Sequence, residues 1–187
     1  MFCTQISTYV YPLNSIVHVI FTELVGFQIR PLASTDYRRG YLAVLSILTS
    51  SPDPGEAAWV NHFNVLRSIP STYYSLVIVD KQTDKIVGLG TVVMEHKFQR
   101  GLSRVGHIED IAVDEKQQGK KLGLRIIQAL TCISENNGAY KTILNCSEKN
   151  IRTSLFVVPE SHFLDNIVQR STKNAASRRK SLRWSVF

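Results

Sequence analysis

Cysteine is scarce: Cys3, Cys132 and Cys146 are the only three in 187 residues. The number is odd, the spacing is wide and there is no Cys-x-x-Cys. That excludes a disulfide scaffold and a cysteine-rich zinc module, and it favours a reducing, cytoplasmic setting. Glycine and proline are also few, at ten and six, which excludes collagen and low-complexity chains. No apolar run reaches the roughly 18 residues that a membrane span requires. The first 26 residues lean apolar but lack a Lys/Arg start, and Glu23 interrupts them, so they read as an N-terminal arm and not as a signal peptide.

Net charge is short over most of the chain. Of the formal +7, residues 151–187 carry +5, with seven Lys/Arg against two Asp/Glu. The body is close to neutral. The basic end, 151–187, reads as a solvated and partly disordered tail. It lacks the interleaved aromatics of a nucleic-acid surface apart from Trp184, so no specific nucleic-acid partner is expected.

What is present is a 44% hydrophobic content, which at this length suffices for one core without staples. Phe27 to Leu32 alternates as a short strand. Ser34-Thr-Asp36 offers a helix N-cap, and Tyr37, Tyr41, Val44, Leu45 and Leu48 then share one face of an expected helix. After the turn-rich Ser50–Gly55, Glu56 to Arg67 reads as a second helix, with Trp59, Phe63 and Leu66 on one side. Tyr73–Val79 and Ile86–Glu95 read as a hairpin, and Gly106–Val113 as a third β-rich run. Leu122, Ile126, Ile127, Leu130 and Ile133 mark a helix closed by Asn136-Asn-Gly138. Tyr140–Leu144 is a further strand. Antiparallel pairing followed by one strand–helix–strand crossover predicts a mixed α/β sheet.

The segment richest in chemistry is Gly106 to Arg125. A strand feeds a short glycine-bearing loop, and the loop opens a helix. Unpaired N–H groups and the helix dipole make such a start suited to an anion. Gly119 and Gly123 allow close backbone approach, and Lys116, Lys120, Lys121 and Arg125 add positive charge. The loop is neither a Walker loop nor a dinucleotide fingerprint. Spacing alone leaves it balanced between a pyrophosphate site and an ordinary solvated turn.

Gln118-Gly-Lys-Lys-Leu-Gly123 resembles the coenzyme A loop of the GNAT N-acetyltransferases, with Lys121 where the middle Gly belongs. Within that superfamily, five stretches are similar to the glucosamine 6-phosphate N-acetyltransferases: Ile29–Leu32, Val44–Thr49, Glu95-His-Lys-Phe98, Gly106-His-Ile-Glu-Asp-Ile-Ala-Val113 and Tyr140–Leu144. The similarity covers residues 27–150, the expected domain. It implies a mixed, mostly antiparallel sheet flanked by helices, and acetyl transfer from acetyl-CoA to the amine of glucosamine 6-phosphate, without a metal. The expected partners are small molecules, and the resemblance implies a homodimer. It also implies that the cofactor is held by Ile111, Ala112, Val113, Gln118, Gly119, Lys120, Lys121, Leu122, Gly123, Leu124 and Asn150. The acceptor would be met by Thr49, Lys97, Phe98, Gln99, Arg100, Glu109, Asp110 and Ile111, with Tyr140 and Lys141 as weaker candidates for its phosphate. Glu109 is the expected base, and backbone N–H groups of Ile111 to Val113 the expected oxyanion donors.

Adjacent strand residues point to opposite faces, so Glu109 and Asp110 share a target only if a bulge re-aims one. His96 and His107 read as structural or substrate-lining. Three further departures from the family pattern stand out. Asn145 replaces a carboxylate and cannot take a proton, so it is a weak catalytic candidate. Ser154 falls where the family has a Tyr that helps the thiolate depart, and its last strand, which pairs across the dimer, has no visible counterpart. Two alternatives therefore stay open: an impaired isoform that binds coenzyme A or a partner subunit, and a GNAT enzyme acting on another amine.

Overall fold

The computed structural model describes residues 25–69 and 71–144. The N-terminal arm up to residue 24, Asn145, Asn150, Ser154 and the basic tail lie outside the described residues.

Five strands form one sheet in chain order: β1 (Phe27–Pro31), β2 (Tyr73–Asp80), β3 (Lys85–His96), β4 (Arg104–Val113) and β5 (Ala139–Leu144). The first three pairings are antiparallel and β4–β5 is parallel. Helix α1 (Tyr41–Leu45) and helix α2 (Glu56–Ser68) lie between β1 and β2 in the chain, and helix α3 (Leu122–Asn136) makes the β4–β5 crossover. This is the mixed, mostly antiparallel arrangement that the alternation of patterns predicts.

Each face of the sheet has its own core, because alternate residues of β2 and β3 are apolar on both sides. Leu76, Ile78, Val92, Met94 and Ile108 pack against Leu122, Ile126, Leu130 and Ile133 of α3. Val77, Val79, Leu89 and Ala112 pack against Tyr41 and Val44 of α1, with Trp59 of α2 at the margin. Burial of this kind stabilises by about 25 cal/mol per Å² of apolar surface. Helix α3 comes close to β4 because residue 106 is glycine: a Cβ there would stand 2.0 Å from Ser134 Oγ. Ser134 is fully buried and accepts a 2.7 Å hydrogen bond from Thr142.

One expectation is corrected. The single helix across Tyr37–Leu48 is two pieces, a 3-10 turn at Ser34–Tyr37 and α1. Gly40 sits between them at φ 86°, a left-handed conformation that interrupts helical phase. Asp36 is not an N-cap. Its buried carboxylate accepts from Ala33 N at 2.8 Å and from both terminal nitrogens of Arg30, at 2.7 and 2.6 Å. Arg39 adds a longer contact at 3.4 Å.

Candidate active site

The centre of the site is a kink in β4. Leu89 faces Ala112 and Thr91 faces Glu109, so Gly90 alone stands opposite both Asp110 and Ile111. This is a β-bulge, and its extra residue is Asp110, at φ 58°. A Cβ at residue 90 would meet Ile111 Cδ1 at 2.4 Å, so glycine opposite the bulge makes room for it. The bulge changes the alternation. Ile108 belongs to the α3 core, and beyond the bulge Ile111 and Val113 pack there too, while Ala112 belongs to the opposite core. Glu109 pairs with Thr91, which alternates with Leu89, so Glu109 stands on the α1 face. Glu109 is half-buried and Asp110 exposed.

Beyond the α1 core, polar residues recur on this same face in successive rows across the strands. Ser75, Thr91 and Glu109 form one row, with Ser75 Oγ and Thr91 Oγ1 2.8 Å apart. Tyr73, Val93, His107 and Ile143 form the next, and Glu95, Val105 and Lys141 the one after. His107 Nε2 lies 3.0 Å from Glu95 Oε2, and Lys97 Nζ contacts the other Glu95 oxygen. The Lys97 ammonium first, and then the His107 ring, hold the Glu95 carboxyl below the usual carboxylate range. On the α1 side, burial and then the charges of Asp110 and Asp36 push the Tyr41 hydroxyl up to about 12. Reading the sequence did not assign Ser75, Thr91 or Tyr73 to the site. The signal was there, since two hydroxyls interrupt apolar runs, but it takes the hairpin register to put them side by side.

At the far end of β4, Asp114 caps a short 3-10 turn by accepting from Lys116 N at 3.0 Å. Gln118 Nε2 donates to Val113 O at 3.3 Å. Gly119 and Lys121 both adopt left-handed φ, 81° and 60°, and Lys121 is the residue before α3. No side chain caps α3, and its first backbone bond runs from Arg125 N to Lys121 O. The N–H groups of Lys121 to Leu124 thus precede the first helical bond and are available to an anion. Gly123 has an ordinary helical φ, and a Cβ there would lie 3.6 Å from Val113, a normal contact. The fold itself therefore does not require glycine at 123. Lys120 lies 5.4 Å over the Phe27 ring. Leu122, also expected to meet the cofactor, is buried in the α3 core. Among the described residues, β5 pairs with β4 only as far as Ile108. The edge of β4 from Glu109 to Val113 has no strand partner there.

The other predicted acceptor contacts gather at the opposite end of β4. Gln99–Leu102 is a tight turn in which Arg100, Gly101 and Leu102 all have left-handed φ. Arg100 stacks 4.7 Å over the Tyr140 ring, and Lys141 Nζ lies 5.6 Å from the same ring. Phe98 is 96% exposed. Thr49 is on the exposed loop after α1, on a different element from these cations. Among the described residues, no His/Cys/Asp/Glu group could hold a metal ion, and no helix is long and apolar enough to cross a membrane.

Comparison with known proteins agrees with the fold. The acetyltransferase (GNAT) family model matches residues 36–155. The glucosamine 6-phosphate N-acetyltransferase 1 of Dictyostelium discoideum is 41% identical over 127 residues, 68% of this chain and 80% of that protein. The Candida albicans glucosamine 6-phosphate N-acetyltransferase is 36% identical over 126 residues, 67% of this chain and 84% of that one. The crystal structure of the Arabidopsis thaliana glucosamine-6-phosphate N-acetyltransferase superposes with a TM-score of 0.65 at 28% identity, covering 86% of this chain and 97% of that chain.

Proposed function

From the premise that this chain belongs to the GNAT acetyltransferase family, and within it to the glucosamine 6-phosphate N-acetyltransferases, we propose how its residues carry acetyl from acetyl-CoA to the amine of glucosamine 6-phosphate. The observation that carries this assignment is the course of β4. Pairing with Thr91 holds Glu109 on the α1 face, and past the bulge at Asp110 the same strand runs on into the loop before α3. Base and cofactor loop are thereby fixed by one rigid element.

The loop residues Gln118 to Leu124 hold the pyrophosphate of acetyl-CoA through backbone N–H groups and the α3 dipole. The edge of β4 from Glu109 to Val113, which no described strand covers, supplies backbone donors for the thioester arm and for the oxyanion that develops on its carbonyl. Glu109 takes the proton that the sugar amine must lose before it attacks. Ser75 and Thr91 line the amine's approach. Lys97, Arg100 and Lys141 supply the charge for the sugar phosphate. A thiolate with an ordinary pKa near 8.5 can leave without a donor.

The deciding assay follows release of free CoA with glucosamine 6-phosphate against glucosamine, spermidine and a peptide amine. Turnover selective for the sugar phosphate is expected, and preference for another amine would overturn the substrate assignment. Glu109→Gln keeps shape but removes the basic site, and should lower kcat by about 10²–10⁴ with acetyl-CoA affinity retained. A second reading rests on the departures at Asn145 and Ser154. Acetyl-CoA binding without turnover of any amine would select it.

A further inference from the structure

Lys97 is the first residue past the end of β3. Its backbone is fixed, because Lys97 N donates to Ser103 O at 2.9 Å and closes the turn that leads back to β4. Its side chain is another matter. An ammonium on a flexible four-carbon stem is a loosely aimed charge unless a neighbour holds it. The neighbour is Glu95, one of whose carboxylate oxygens accepts from Lys97 Nζ.

Glu95 is itself held. Its other oxygen lies 3.0 Å from His107 Nε2. The strand register explains why: Glu95 pairs with Val105, and His107 is the next residue on the same face of β4. One carboxylate oxygen thus ties across to β4 and the other along to the turn. Lys97 first, and then His107, keep this carboxyl below its usual range, so it is ionised at neutral pH. An ammonium has three donors. Glu95 takes one, and the Lys97 side chain stays 28% exposed, which leaves the others within reach of a ligand.

We propose that Glu95 is a positioning residue for the acceptor: through Lys97, and steadied by His107, it aims the ammonium at the anionic group of the amino sugar. The proposal rests on the assignment of Lys97 to the sugar phosphate. It adds that a carboxylate, which by charge alone repels a phosphate, strengthens its binding. Two effects compete here. Glu95 is 44% exposed, so water and salt screen its repulsion of the anion. Ordering one rotamer-rich side chain in advance is worth about fivefold in affinity, and that effect prevails.

The test is calorimetric binding of glucosamine 6-phosphate to the full chain saturated with CoA, alongside kcat from CoA release. Glu95→Ala should weaken binding about fivefold with kcat at saturating acceptor kept. Glu95→Gln, whose amide oxygen still accepts from Lys97, should fall between Glu95→Ala and the parent. Lys97→Met should bind weakly, and adding Glu95→Ala to it should change nothing further, since a residue that acts through Lys97 has no effect without it. Binding of unphosphorylated glucosamine should be the same in all of these proteins. Tighter binding of the sugar phosphate by Glu95→Ala overturns the proposal, because Glu95 then only screens Lys97. Equal weakening by Glu95→Ala with and without Lys97 also overturns it, because Glu95 is then a general support of the site. A parent that binds the sugar phosphate through Lys97, with Glu95→Ala unchanged, overturns this proposal alone. A parent that does not bind it, or whose affinity survives Lys97→Met, overturns the assignment of Lys97 and this proposal with it.

Discussion

Two residues carry conformations or ionisations that a sequence does not announce. Lys121 holds a left-handed φ of 60° before α3, where the family pattern has glycine. A non-glycine residue costs about 1–2 kcal/mol in that region, and glycine returns part of it as chain entropy. Lys121→Gly should therefore raise stability by about 0.5–1 kcal/mol, read as a higher urea midpoint at unchanged slope. Tyr41 is the other case. Its hydroxyl is pushed up to about 12, by burial first and by Asp110 and Asp36 after that. The unfolded chain's tyrosine ionises near 10, so the folded state holds more protons between these values. The contribution is complete below pH 10, shrinks as pH rises above it, and is lost as pH passes through the folded value. Denaturation curves at pH 9 and pH 11.5 should show a smaller alkaline loss in Tyr41→Phe than in the parent.

At the scale of elements, the contact between α3 and β4 is the most demanding. Gly106→Ala would place a methyl 2.0 Å from Ser134 Oγ and 2.9 Å from its Cβ, both buried. Overpacking of this kind costs about 1–3 kcal/mol. The double variant Gly106→Ala, Ser134→Gly should recover part of it, and thermal unfolding of the parent, both single variants and the double variant forms the cycle. The 3-10 turn before α1 hangs on Asp36, which is fully buried against Arg30. Asp36→Asn leaves that guanidinium without its counter-charge and should cost about 3 kcal/mol in denaturant unfolding. Most elements were legible in the sequence because their patterns are local. Alternation marked β2, β3 and β4, and the 3.6-residue period marked α3. The region Tyr37–Leu48 was not legible, because Gly40 can continue a helix or break it and only the tertiary contacts of Tyr41 and Val44 decide. For the site, the loop from Gln118 to Gly123 and the acids Glu109 and Asp110 stood out as motifs. The row Ser75, Thr91, Glu109 and the pair His107–Glu95 did not, because they join three strands through a register that no single segment specifies.

At the scale of the whole described unit, one sheet separates two cores, and the candidate reactants meet it on different sides of β4. Acetyl-CoA is expected to engage α3 and the loop before it, which anchor the larger core, so binding should stabilise the fold as a unit. With ligand at 100 times its Kd, the gain is about 2.7 kcal/mol. Gly123→Ala should leave the stability of the free protein near that of the parent, since its Cβ finds an ordinary contact. It should sharply reduce the thermal shift produced by acetyl-CoA. Scanning calorimetry with and without acetyl-CoA separates the two effects, and an undiminished shift in Gly123→Ala would remove residue 123 from the cofactor site.

The extra residue in β4 also bears on how this chain can change over generations. A strand is read in twos, and the bulge at Asp110 shifts the phase of that reading. Residues before it and after it keep separate alternations. Substitutions on either side stay local. Flattening the bulge with every residue kept would turn Ile111 and Val113 out toward the polar face and drive Ala112 toward α3, exchanging core for surface along the rest of the strand, whereas removing Asp110 together with the bulge would leave all three on their present faces. The faces of Ile111, Ala112 and Val113 are consequently kept either with the bulge or with one residue fewer, and variants that keep the count while altering the chemistry of Asp110 are the ones able to explore new acceptors.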